Sequence, residues 1–182
     1  MAKLRCGIVG CGYMGEIRKR VIEAIPELEL VGVVEPNRSK WQQINNCDVF
    51  DSFDNLIQSE VDIVFVATPN VFAPDLCIKS LDLGKHVFCE KPPAFTSSEV
   101  AEIKLAEESS GKKLMYGFNH RHHASIKEMK KIIDSDEFGK VIWMRGRYGK
   151  SVDSDFFNDW RSQKKYAGGG LNPPGIVHLS NI

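Results

Sequence analysis

The 182-residue sequence predicts an α/β fold built on a doubly wound parallel sheet, and three observations predict it. A strand-like run, Leu4 to Val9, breaks into Gly10-Cys11-Gly12-Tyr13-Met14-Gly15, with a helical pattern starting near Tyr13. Short β-rich runs then alternate with amphipathic stretches, as strands and crossover helices do in a parallel sheet. The run Ile63-Val64-Phe65-Val66-Ala67 is apolar without alternation, the pattern of a central strand covered on both faces.

The elements follow in order. Leu4 to Val9 is the first strand, and the glycine turn leads into the first helix. Leu28 to Glu35, Asp62 to Ala67, His86 to Cys89 and Leu114 to Phe118 are the further strands, each preceded by an amphipathic stretch. Ser97 or Ser98 caps a helix through Val100, Ile103, Leu105 and Ala106, and Gly111 stops it. After Arg121 the character changes: apolar spacing predicts a helix over Ile126 to Ile133, Gly139 ends it, and Val141 to Tyr148 reads as a long strand. The domain boundary is therefore expected near residue 120, with one domain over 1–120 and the start of a second over 121–182. An acidic and aromatic loop from Asp153 to Trp160, then Gly168-Gly169-Gly170 and Pro173-Pro174, completes the chain.

Composition narrows the function classes. With 24 Lys plus Arg against 24 Asp plus Glu, no net field draws in nucleic acid or an anionic membrane surface, so a small molecule is the expected partner. Cys6, Cys11, Cys47, Cys77 and Cys89 form no C-x-x-C pair and sit mostly in apolar runs, as small buried hydrophobes in a reducing compartment do. No apolar run approaches the roughly 18 residues that span a bilayer, and a cytoplasmic location is expected.

The glycine motif carries the chemistry. Gly10 permits a tight turn, Gly12 lets backbone approach a pyrophosphate, and Gly15 lets the helix pack closely on the strand, with Tyr13 and Met14 completing the phosphate-facing turn. Glu35 ends the next strand about 20 residues on, where a carboxylate accepts hydrogen bonds from an adenosine ribose. Gly10 to Gly15, Glu35, Thr68-Pro69-Asn70, Glu90-Lys91-Pro92 and Asn119-His120-Arg121 each follow a predicted strand. In an open parallel sheet such ends share one rim, where ligands bind. Glu35 repels a 2′-phosphate and favours NAD, whereas Arg38 three residues later is placed to reach one, so NADP is the alternative cofactor. Cys11 lies beside a helix N-terminus, a position that can lower a thiol pKa, but packing against the cofactor is the expected reason for a small residue there. The run His120-Arg121-His122-His123 has no matching Cys or His pair nearby, and no metal is expected.

With Ala67-Thr68-Pro69-Asn70, Gly84 through Glu90-Lys91-Pro92, Gly117-Phe118-Asn119 with Arg121, and Trp160-Arg161 before the triple glycine, the chain resembles the Gfo/Idh/MocA family of NAD(P)-dependent oxidoreductases. The resemblance covers essentially all of it. It implies a Rossmann domain followed by an α/β domain with a large, mostly antiparallel sheet, and redox chemistry at a secondary alcohol of a sugar, polyol or sugar nucleotide. Arg145 to Gly149 with the acidic loop looks most like members acting on surface-polysaccharide sugars. Lys91 is the expected positive group at the reacting hydroxyl, with Pro92 fixing its direction and Glu90 orienting Lys91 or the nicotinamide side. The resemblance also implies substrate contacts from Asn119, Arg121, Trp160 and Arg161, and His178 as catalytic base.

The chain departs from its relatives at Pro174 and Asn181, where they usually carry aspartates flanking that histidine, and it stops at Ile182, so most of the second domain is expected to be absent. An unpaired strand over Val141 to Tyr148 would then have to pair with a partner, collapse elsewhere or aggregate. Three functions stay in view: a sugar or polyol dehydrogenase with impaired or no turnover as this shortened chain, a non-catalytic nucleotide-binding remnant, and an interaction module that docks through the exposed strand. A homo-oligomer is left open.

Overall fold

The computed structural model describes residues 2–145 and 154–168, and the chain divides into two compact units, Met1–Gly117 and Phe118–Ile182. In the first unit six strands form one sheet: β1 (Leu4–Val9), β2 (Leu28–Val34), β3 (Asp48–Phe50), β4 (Ile63–Val66), β5 (His86–Cys89) and β6 (Leu114–Tyr116). Their order is β3-β2-β1-β4-β5-β6, and every neighbouring pair is parallel. That is the strand order of two mononucleotide-binding halves meeting at β1.

Helices cover both faces: α1 (Tyr13–Ala24), α2 (Phe53–Ile57), α3 (Ala73–Asp82) and α4 (Ser97–Ser110). The period-2 alternation of strands sorts the core into two layers. Cys6 and Ile8 of β1, Val33 of β2 and Ile22 of α1 pack on one face, with Ile63 and Phe65 of β4 against them. Val64 and Val66 of β4 point the other way and pack with Val87, Cys89, Cys77, Leu81 and Ile103. Ile8, Val33, Leu56 and Val64 are all fully buried, each contributing about 1.5–3 kcal/mol by leaving water.

Local signals explain the boundaries. Thr96, not Ser97 or Ser98, caps α4: its hydroxyl accepts from Glu99 N–H at 3.2 Å while the Glu99 carboxylate accepts from Thr96 N–H at 2.8 Å. The reciprocal box needs an acid three residues on, and only Thr96 has one there. Gly111 ends α4 at φ +65°, as expected. Glu35 lies one residue past β2, and β4 and β6 are shorter than the apolar runs that predicted them. β3 is a three-residue edge strand whose Asp48-Val49-Phe50 is too short to stand out in sequence.

In the second unit a 3₁₀ turn, Asn119–His122, leads into α5 (Ala124–Asp134), longer at both ends than its apolar spacing suggested. Residues 154–168 hold two further 3₁₀ turns, Ser154–Asn158 and Trp160–Ser162, and α6 (Lys164–Ala167). Of the strand expected over Val141 to Tyr148, residues 141–145 form none, and residues 146–148 lie outside the described ones. Ile142 is 97% exposed and Trp143 74%. Apolar alternation makes a segment able to pair, but a strand exists only where neighbouring backbone completes its ladder.

Candidate functional site

The rim of the sheet is built one residue beyond the strands. Backbone bonds link the residues that leave adjacent strands: Gly10 N–H donates to Val34 C=O at 3.0 Å, Ala67 N–H to Val9 C=O at 2.8 Å, Glu90 N–H to Val66 C=O at 2.9 Å and Gly117 N–H to Cys89 C=O at 2.8 Å. Glu35 N–H continues the row to Phe50 C=O at 3.0 Å. Because the strands are parallel, these bonds set Glu35, Gly10, Ala67, Glu90 and Gly117 side by side along one edge.

Gly10 turns there at φ +94°, and a side chain on it would come within 2.6 Å of the Ala67 carbonyl oxygen. A Cβ on Gly15 would overlap the Gly10 carbonyl oxygen, so helix and turn approach as closely as backbone allows. At Gly12 the same test meets nothing within 4 Å. Gly12 is also the N-cap of α1, and no side chain caps that end. Tyr13 and Met14 open the helix, with Tyr13 83% exposed. A tight turn, open space beside Gly12 and an uncapped helix N-terminus together suit a pyrophosphate.

Glu35 is buried at the end of β2. One carboxylate oxygen accepts the Asn37 N–H at 2.9 Å, the other lies 4.0 Å from Lys40 Nζ, and the Trp41 indole N–H donates to the Glu35 carbonyl at 2.7 Å. The carboxylate is thus held in place with accepting capacity left. Arg38 is engaged elsewhere: it pairs with Asp51 at 3.2 Å and lies 5.5 Å from the Trp41 ring centre. Asn55 and Arg38 together hold the Asp51 carboxyl below its usual range.

After β4, the Thr68 hydroxyl is buried without a hydrogen-bond partner, Pro69 follows, and Asn70 is buried at the start of a 3₁₀ turn. An orphaned buried hydroxyl on the rim beside Gly10 is what a site shaped for a polar ligand leaves when considered alone. After β5 come Glu90, buried, and Lys91, half-buried, with a cis peptide bond between Lys91 and Pro92. These residues fit a dinucleotide.

Cys11 is a buried packing residue. Its thiol donates to Glu16 at 3.1 Å, and burial, followed by that carboxylate, pushes its pKa up to about 12. Desolvation and a neighbouring anion outweigh the helix N-terminus, so this thiol is unreactive packing.

A family model for an oxidoreductase family with an NAD-binding Rossmann fold, Gfo/Idh/MocA, matches residues 4–118. The chain belongs to that family. Inositol 2-dehydrogenase from Salmonella typhimurium is 30% identical over 153 residues, 80% of this chain and 46% of that protein. A structure of the WlbA dehydrogenase from Bordetella pertussis, in complex with NADH and UDP-GlcNAcA, superposes with TM-score 0.81 at 26% identity, covering 98% of this chain and 54% of that one. An NAD-binding protein from Listeria innocua gives TM-score 0.81 at 26% identity over 100% of this chain and 52% of the other. The chain thus spans about half the length of the relatives it matches.

The remaining residues that the resemblance pointed to lie in the second unit. Asn119 and Arg121 share the 3₁₀ turn after β6, both exposed. Trp160 and Arg161 share another, where Asp159 accepts from Arg161 N–H at 2.9 Å and pairs with its side chain at 3.1 Å. His120 and His123 stack with ring centres 5.1 Å apart, and among the described residues no group of three or more His, Cys, Asp or Glu could hold a metal. His178, Pro174 and Asn181 lie outside the described residues. Among the described residues no helix is long and apolar enough to cross a membrane.

Sequence reasoning missed Arg18, which reaches from α1 to the Glu90 carboxylate. Arg18, Lys19 and Arg20 stand together, so nothing in the sequence marks which of them meets Glu90.

Proposed function

We propose that this chain supplies the cofactor domain of an NAD-dependent oxidoreductase acting on a secondary alcohol of a sugar, polyol or sugar nucleotide. The observation that carries it is the open backbone at Gly12, on the uncapped N-terminus of α1, in one rim with buried Glu35 and with Glu90-Lys91. When bound, NAD supplies a hydride acceptor and, reduced, a hydride donor. The first-turn amides of α1 receive the phosphates, Glu35 accepts from the ribose hydroxyls, and the Thr68 hydroxyl turns toward the same ligand. Lys91 donates to the substrate hydroxyl and stabilises the alkoxide that develops as its proton leaves. Asn119, Arg121, Trp160 and Arg161 contact the substrate, and His178 takes the proton. Because Pro174 and Asn181 replace the acids expected beside that histidine, turnover is slow or absent.

Glu35 selects NAD over NADP: a buried carboxylate fixed by Asn37 opposes a 2′-phosphate, and Arg38 already has Asp51 as partner. All five cysteines are unpaired, which supports a reducing, cytoplasmic setting. Calorimetric titration of the full chain with NADH and NADPH, repeated on Glu35→Ala, tests the reading. Micromolar NADH binding, at least about tenfold tighter than NADPH and lost in Glu35→Ala, is expected. Tighter NADPH binding would overturn the cofactor preference, and a folded chain that binds neither would overturn the function.

The exposed apolar segment with Ile142 and Trp143 favours a second reading, an interaction module. A dispersed monomer in solution with no affinity for other chains would count against it.

A further inference from the structure

Arg18 and Glu90 are two charges inside the fold, their side chains only 13% and 10% exposed. Arg18 Nε donates to one Glu90 carboxylate oxygen at 2.8 Å, and Nη2 donates to the same oxygen. The guanidinium carbon stands 4.7 Å from the centre of the Phe88 ring, which packs on Phe65 at 5.4 Å. A Cβ on Gly117 would come within 3.1 Å of Glu90 Oε2 and 3.3 Å of Arg18 Nη2, so the end of β6 closes over the pair. Strand alternation explains the meeting: Phe88 and Glu90, two residues apart, share the face of the sheet that α1 covers.

A buried ion pair adds little net stability, because desolving both charges offsets their attraction; its best-attested use is to specify one arrangement. Arg18 belongs to the helix whose N-terminus faces the phosphates, and Glu90 precedes Lys91 at the end of β5. The β1–β3 half of the sheet carries Glu35 and takes the adenosine, which leaves β4–β6 for the nicotinamide half. We infer that Arg18 is a positioning residue that ties the Glu90-Lys91 turn to the phosphate-bearing helix and so sets the nicotinamide half of the site. The inference rests on the cofactor reading above.

The test compares NADH with ADP-ribose, which keeps the adenosine and both phosphates but lacks the nicotinamide, by titration of the full chain and its variants. Arg18→Gln weakens NADH about tenfold and ADP-ribose less than about twofold. Arg18→Lys, which keeps the charge but not the planar fork, weakens NADH about threefold with ADP-ribose again unchanged. If Arg18→Gln does not fold, Arg18→Lys decides on the same ratio, since it leaves no buried carboxylate without a cation. Equal weakening of both ligands assigns Arg18 to helix packing alone and overturns the inference, as does an unchanged ratio in every folded variant. If the unaltered chain binds neither ligand, the cofactor reading falls and takes this inference with it. Binding of both ligands with a fixed ratio sinks this inference only.

Discussion

β4 and the segment at 141–144 carry the same kind of sequence and meet different ends. Ile63-Val64-Phe65-Val66 and Val141-Ile142-Trp143-Met144 are both apolar, β-branched and aromatic. β4 lies between β1 and β5, hydrogen-bonded on both sides, with Val64 and Val66 at 0% and 1% exposure. The segment at 141–144 forms no strand, and Ile142 is 97% exposed. The same contrast runs through the helices: α3 buries five of its ten residues and α5 none. Strand formation is a property of the pairing surface more than of the residues, whereas a helix closes its hydrogen bonds within its own segment.

Substitutions can break that contrast. The largest effect belongs to the most crowded point of the first unit: Gly15→Ala forces a Cβ onto the Gly10 carbonyl, α1 shifts, and NADH binding by calorimetry is abolished. Retained affinity would show that helix and turn are looser than described. Next comes Leu56→Ala, which opens a cavity at a fully buried side chain and lowers stability in urea by about 2–5 kcal/mol.

Alkaline pH sharpens the comparison, because every cysteine lies in the first unit. Burial raises Cys6 from 9.0 to about 11 and Cys11 from 9.0 to about 12. Above pH 9 the unfolded chain sheds these protons while the folded chain keeps them, so stability is full below 9 and falls as pH rises from there toward 12. The urea midpoint therefore drops between neutral pH and about pH 10.5, and Cys6→Ala with Cys11→Ala flattens the drop. A midpoint unmoved by pH would contradict the burial of these thiols. The smallest effect is Ile142→Ala, within about 0.5 kcal/mol in the same urea assay. A cost near that of Leu56→Ala would show that the segment is packed after all.

The legible parts share a physical trait. The glycine turn, Glu35 and Glu90-Lys91-Pro92 were readable because a turn, a helix start and a strand end are local events, recorded in neighbouring residues. β3 was too short to announce itself. The cap of α4 was misplaced by one or two residues because three adjacent hydroxyl residues compete, and only Thr96 has its acid at the right spacing. For Cys11 the helix end beside it left a lowered thiol pKa as the alternative to packing, and burial with the Glu16 carboxylate, both set by the fold, decides for packing.

By itself, then, the sequence determined the main alternation of strands and helices in the first unit, the glycine turn and the family to which the chain belongs, since each rests on short-range pattern. Tertiary structure alone decided which charges came inside and which apolar runs found a sheet. Arg18 and Glu90 stand 72 residues apart, and only the folding of α1 over β5 makes them neighbours. Val141 to Met144 have the composition of a strand, yet composition provides no second backbone to hydrogen-bond. Long-range pairing depends on what lies alongside, and no local pattern encodes that.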